Sequence, residues 1–375
     1  MSLSPNDLDL DMSELEGRAL TCDPSCGLCC LCQPEILPHE VEWFRSNHPR
    51  RIVTLDQPHR HVAVALKNGQ GPCSFLNSTR RCEIYPHRPH HCRQFPLHLY
   101  VGKRVQAELD LSCRGVWYGG TEDVLVEGGK LVQDNLDTLR HTLMESRAIY
   151  QEFEANCREV GIYRPDASLR QEVEQRVERF SELPYLAHVL DLSGEDDEMT
   201  LPNGSCPRYD MNELERSAME TGMESLDAED AFSAPIYCDP KGRWNLFLVR
   251  GDLIKWVILN DDGGLTTLGD IDPSKVKLLV PEGEGKGIFW SYLRTLNRRD
   301  SVMGYAYFLA DYYGYEDFLA NTYYGVIATS ALDLLWRSSL IAYLCGGKLD
   351  RAGMIEGIIS YDMDRLDAPT IGAFI

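Results

Sequence analysis

The sequence contains no run of about 18 uncharged apolar residues, the length needed to span a bilayer, although its 375 residues leave ample room for one. The nearest approach, 323–345, is interrupted by Asp333 and Arg337 and reads as a buried helix. No apolar stretch follows the opening Met1-Ser-Leu-Ser-Pro-Asn-Asp, so a secretory signal is not expected. Basic charge is scarce. Lys and Arg number 37 against 58 Asp and Glu, a formal net charge of −21, which argues against a nucleic-acid binder. Internal repeats and low-complexity tracts are absent, as are the Gly-x-Ser-x-Gly and His-Glu-x-x-His motifs. These exclusions leave a cytoplasmic chain of two or three domains, in a compartment where thiols stay reduced.

Cysteine, by contrast, is plentiful at 13 residues. Nine fall in the first 113 positions: Cys22, Cys26, Cys29, Cys30, Cys32, Cys73, Cys82, Cys92 and Cys113. Cys157, Cys206, Cys238 and Cys345 are scattered without chelating spacing and read as small buried hydrophobes. Cys26-x-x-Cys29 is a short chelating bite, and Gly27 inside it lets the backbone wrap close to a metal. Adjacent Cys29 and Cys30 are expected to diverge, so that they serve two centres or only one of them is a ligand. Between Arg45 and Arg114 there are twelve Lys/Arg and four Asp/Glu, a cationic setting inside an acidic protein. Four thiolates on a metal make a net anion that such surroundings stabilise. Disulfides would need an oxidising compartment and would strand one thiol. Metal is the stronger reading.

The blocks Cys26-Gly-Leu-Cys29-Cys30, Pro72-Cys73-Ser-Phe-Leu, Cys82-Glu-Ile-Tyr85-Pro-His-Arg88-Pro89-His-His-Cys92-Arg93-Gln-Phe95-Pro96 and Cys113-Arg-Gly resemble the YkgJ-type cysteine-cluster family. That family is described as a zinc- or iron-chelating domain and is distantly related to flagellin lysine-N-methylase. The resemblance covers roughly the first 115 residues. It implies Cys26, Cys29, Cys30, Cys73, Cys82, Cys92 and Cys113 as metal ligands, with Cys22 an eighth. Cys22 stands four positions before Cys26 where the family usually has three, and Cys32 lies outside the pattern. Around the ligands, Arg88 and Arg93 are expected to donate hydrogen bonds to cluster sulfur or to a carboxylate. Tyr85 and Phe95 are expected to pack beside the metal, while His87, His90 and His91 read as solvated loop residues.

Spacing leaves the metal open. Zinc sites often use two short bites, whereas iron–sulfur clusters tolerate ligands from distant loops. Iron–sulfur is the favoured reading, as one or two 4Fe-4S clusters, with zinc the alternative. Cys22-x3-Cys26-x2-Cys29 also matches the spacing of radical S-adenosylmethionine enzymes, but the strand–helix repeats of their barrel are not visible. Gly283-Glu-Gly285-Lys-Gly287 before a helix suggests a nucleotide or S-adenosylmethionine loop. Glu282 and Glu284 would repel phosphate, which favours a plain loop.

The expected fold class is α+β. A tail over 1–20 precedes an irregular cysteine-rich module over 21–118, with a short helix after Pro38, a strand near His61 and a hairpin around Gly102-Lys103. A helical segment over 119–190 follows. Residues 191–230, with thirteen acidic and two basic residues, read as a linker holding at most one helix, and a β-meander plus C-terminal helices fill 231–375. Two functions fit: a metal-cluster redox or protein-modifying enzyme, such as a lysine-methylase-like protein, or a non-catalytic metal-stabilised accessory protein. The expected partner is a protein substrate or a redox partner. The catalytic residues are not legible. Any substrate site is expected between module and C-terminal region, near Arg88, Arg93 and the tyrosines from Tyr305 to Tyr324.

Overall fold

The segment Trp244–Arg250 is apolar at nearly every position, which suits a strand covered on both faces. The computed structural model, which describes residues 8–57, 59–228, 233–366 and 368–375, covers it in that way. Trp244, Leu246 and Leu248 point one way, into a core shared with Leu28 and Leu76 of the cysteine module. Phe247 points the other way, into the main helical core. Its sheet is the expected antiparallel meander, in the order Leu265–Ile271, Leu253–Leu259, Trp244–Arg250, Ile236–Cys238. The sheet therefore stands between the module and the helices.

Leu319–Cys345 forms the axis of the helical body. Twenty-one of its residues are buried, so it lacks the polar face of a surface helix, and Leu183–Ser193, Met211–Leu226, Asp300–Tyr312 and Arg351–Ile359 pack around it. Among the described residues no helix is long and apolar enough to cross a membrane. The acidic stretch does more than link. In Met211–Leu226 the residues Leu214, Ala218, Gly222 and Leu226 recur every four positions and are buried, while its carboxylates face outward. A Cβ on Gly222 would come within 2.0 Å of the Trp336 ring, so the helix seats directly on the central one. Residues 229–232, where that stretch was expected to end, lie outside the described residues, as do 1–7 of the expected tail.

The expected hairpin is present as Leu97–Val101 and Val105–Leu109. Leu10–Asp11 extends it on one edge and Ala373–Phe374 on the other. Arg299, fully buried, fastens this sheet to the body. It bonds Glu14 at 2.9 Å, Asp362 at 2.7 Å and the carbonyl of Leu109 at 2.8 Å. The segment 119–190 is helical as expected, in Val124–Asp134, Leu136–Val160, Asp166–Arg176 and Leu183–Ser193. The whole is a mixed α+β fold with four small sheets and no strand–helix barrel among the described residues.

Candidate metal centre

The module has little regular structure, and its loops are organised around thiols. All thirteen cysteines are free. Gly27 adopts a left-handed φ of 62°, which turns the chain back between Cys26 and Cys29. A side chain there would crowd the Trp244 ring at 3.1 Å. The indole N–H of Trp244 donates to the Cys26 carbonyl at 2.7 Å, and Arg80 lies 4.0 Å over the same ring. Leu28–Cys30 then forms a 3-10 turn whose end carries the second cluster, because the Cys73 amide donates to the Cys30 carbonyl at 2.7 Å. The Phe75 amide in turn donates to the Cys73 sulfur at 3.4 Å, the kind of N–H···S contact that steadies a thiolate. Cys82 pairs back on Leu76 through an isolated bridge, and Cys92 sits in the short helix His90–Gln94.

Cys29 is the hub. A charge on it raises the pKa of Cys22, Cys26, Cys30, Cys32, Cys73, Cys82, Cys92 and Cys113, so the structure gathers the whole predicted set and adds Cys32. A hydrogen bond from the Cys30 thiol pulls Cys29 down to about 7, against the opposing cost of burial and with help from Arg88. Cys29 and Cys30 do not lie on the extended chain from which their divergence was expected, but on a 3-10 turn. Burial pushes Cys32 and Cys73 up to about 11, and raises Cys92 and Cys113 further. Thiols this close cannot all ionise unaided, and a bound cation is what would let them.

Two of the scattered cysteines depart from the expected role of small buried hydrophobes. Cys238 is buried but is not merely apolar filling. Its sulfur lies 3.7 Å from the Cys26 carbonyl and bonds the Cys26 thiolate, holding that thiol below its ordinary pKa. Strand pairing with Trp244 delivers it there, across more than two hundred residues of sequence. Cys345 ends the central helix exposed rather than buried.

The surrounding cations divide. Arg88 lowers the pKa of Cys22, Cys29, Cys82 and Cys92 and lies 4.0 Å over the Tyr85 ring. Arg93 instead pairs with Glu40 at 3.2 Å. Arg114, next to Cys113, is buried and makes a two-pronged bond to Glu356 at 2.7 Å in the helix Arg351–Ile359, and a third to the Cys238 carbonyl at 2.5 Å. Sequence reasoning passed over this residue. Among the described residues, Ser74 Oγ, Arg88 Nε and Arg114 Nε are buried without a hydrogen-bond partner, and each belongs to or adjoins the cysteine loops. Unmatched donors of this kind fit an acceptor such as a sulfur-rich anion. The tyrosines expected beside the centre are elsewhere. Tyr323 and Tyr324 are buried in the helical body, and Tyr307 bonds Asp166.

Beyond Arg114, a cavity of about 630 Å³ opens between module and body, lined by Trp117, Tyr118, Glu282, Glu284, Arg351 and Glu356 among others. The glycine-rich loop borders it but is built for packing. A Cβ on Gly285 would meet the Leu349 carbonyl at 2.1 Å.

Residues 21–114 match the CxxCxxCC family model, whose description is "Putative zinc- or iron-chelating domain". Comparison with curated proteins and with solved structures returned no match. The matched span holds all nine N-terminal cysteines, and it is the metal-binding part of the chain.

Proposed function

We propose that this chain is a cytosolic iron–sulfur protein in which the thiols around Cys29 hold one or two 4Fe-4S clusters, serving a redox or protein-modifying enzyme. The observation that carries the reading is the number of sulfurs in one place. Cys22, Cys26, Cys29, Cys30, Cys32, Cys73, Cys82, Cys92 and Cys113 exceed what a single four-coordinate ion can use. Their spacing supports it as well. Four thiolates on one zinc ion would stand about 3.8 Å apart, given metal–sulfur bonds of about 2.3 Å. Among the described residues, no three cysteine sulfurs lie within 4.8 Å of one another. An iron–sulfur group, when bound, would supply one-electron transfer.

The chain's own residues do the rest. Arg88 brings positive charge to Cys29, and Arg114 brings it to Cys26. The Cys238 thiol, 3.7 Å from the Cys26 carbonyl, steadies the loop that carries Cys26. Trp117 and Tyr118 line the substrate cavity, and Glu356, which also lines it, is fixed by Arg114. This moves the expected substrate site from Arg93 and the tyrosines to the far side of Arg114. A protein side chain or small polar molecule would enter there.

Protein purified without oxygen should be brown, carry about four or eight irons with equal sulfide, and bleach with dithionite. Colourless protein with stoichiometric zinc would overturn the reading in favour of a metal-stabilised accessory protein.

A further inference from the structure

Three metal-type donors converge elsewhere in the module, on the hairpin of Ile52–Leu55 and His61–Val64. Glu35 pairs across from Ala63 through an isolated bridge, and the chain on either side is fixed by the Ile36 amide to Val62 and the Val64 amide to Pro34. Side chains two apart on an extended chain share a face, so His61 and Ala63 lie in one row, Glu35 joins that row from the neighbouring segment, and His59 stands on the bend just before the strand. One ligand atom from each of Glu35, His59 and His61 lies within 4.8 Å of the others, the only such trio among the described residues. His59 Nε2 is 3.6 Å from the Glu35 carboxylate, and the two imidazole rings are 5.1 Å apart.

The tautomer is also set. His61 Nδ1 lies 2.7 Å from the His59 carbonyl. A carbonyl only accepts, so the ring N–H sits on Nδ1 and Nε2 keeps its lone pair. This backbone bond is the arrangement that metal-ligating histidines use to fix their orientation. A plain ion pair would employ His59 and Glu35 alone and would leave this third, pre-oriented donor unexplained.

The geometry points to a second metal site on this chain, separate from the thiols, in which Glu35, His59 and His61 bind a divalent first-row transition ion of the zinc class. Two imidazoles and a carboxylate suit zinc, cobalt or nickel and not calcium or magnesium. With three protein donors, a four-coordinate ion keeps one position for water or a ligand. The site shares no residue with the cysteine set, so it stands whether that set holds iron or zinc.

The test is cobalt titration of the protein as purified, with its thiol-bound metal in place. The wild type should take up one additional cobalt per chain and develop visible ligand-field bands without the intense near-ultraviolet charge-transfer band of a thiolate ligand. Glu35→Gln and His61→Gln should each weaken that uptake at least tenfold. Both positions are partly exposed, and unchanged circular dichroism and unchanged thiol-bound metal would certify folding. Equal cobalt uptake by either variant would overturn the proposal. So would a thiolate charge-transfer band on the added cobalt, or no uptake by the wild type.

Discussion

The cysteine module and the helical body reach their stability by different means. The body buries a continuous apolar core around Leu319–Cys345, with Leu334, Leu335 and Trp336 wholly inside. The module's private core is six residues, Ile36, Phe44, Val64, Cys73, Phe75 and Ile84, one of them a thiol. So small an apolar cluster cannot by itself offset the ordering of residues 21–96, which precede the hairpin that joins the main core, at about 1–2 kcal/mol each. The meander covers its flank, and ligation at its centre would supply the rest. The body should outlast the loss of metal, and the module should not.

Several measurements would break or sharpen that contrast, beginning with the largest effect. Stripping the metal, or replacing Cys29→Ser, should cost on the order of 10 kcal/mol of module stability, the scale of structural thiolate sites. Limited proteolysis should then cut between residues 30 and 95 while most helical circular dichroism survives. A metal-free module that resists protease would dissolve the distinction. Next is the tie between the two parts. Glu356→Ala leaves Arg114 buried without its carboxylate and should destabilise by about 3–5 kcal/mol. Denaturant titration followed by near-ultraviolet signal would measure it, and Glu356→Gln should recover part of the loss. Within the body alone, Leu335→Ala should cost about 2–4 kcal/mol by leaving a cavity, with metal content per chain unaltered.

The smallest effect lies at the seam. Burial holds Glu108 protonated, raising its pKa from 4.5 to about 7, although Arg299 at 4.0 Å pulls the other way. The fold favours the neutral acid, so this contribution is complete below pH 4.5 and fades as pH rises through 7. Stability should fall by roughly 1–3 kcal/mol over that window, and Glu108→Gln should flatten the slope. Thermal melts from pH 4.5 to 8 on both proteins would reveal it, and identical slopes would remove Glu108 from the account.

What could be read in advance follows the same division. The body's elements announce themselves locally. The long apolar stretch of 323–345, broken only by Asp333 and Arg337 among charged residues, and the turn glycines of the meander needed no tertiary information. The close group from Cys22 to Cys32 stood out by its short spacings, while Cys73, Cys82, Cys92 and Cys113 stand at open spacings and were implied by the family resemblance. Cys238 was not, since only the pairing of Cys238 with Trp244 brings it to Cys26. Arg114 was hidden for the same reason, its partner Glu356 being supplied by a distant helix. The helix at 211–226 was obscured by net charge. Its four-residue apolar stripe was present in the sequence, but thirteen carboxylates in 191–230 drew attention to the solvent face.

The turn between Ile236–Cys238 and Trp244–Arg250 works as a length gauge. Asp239 accepts from the amides of Lys241 and Arg243 at 2.9 Å, and Gly242 takes a φ of 74° to close the loop. Five residues, neither more nor fewer, set Tyr237 toward Glu356 and Cys238 toward Cys26. A strand shifted by one position exchanges its faces. A single inserted residue here would turn the tyrosine to the sulfurs and the thiol to the helices, miswiring both sides at once. Loop tips usually tolerate insertion, but this one carries the alignment between the cysteine module and the helical body.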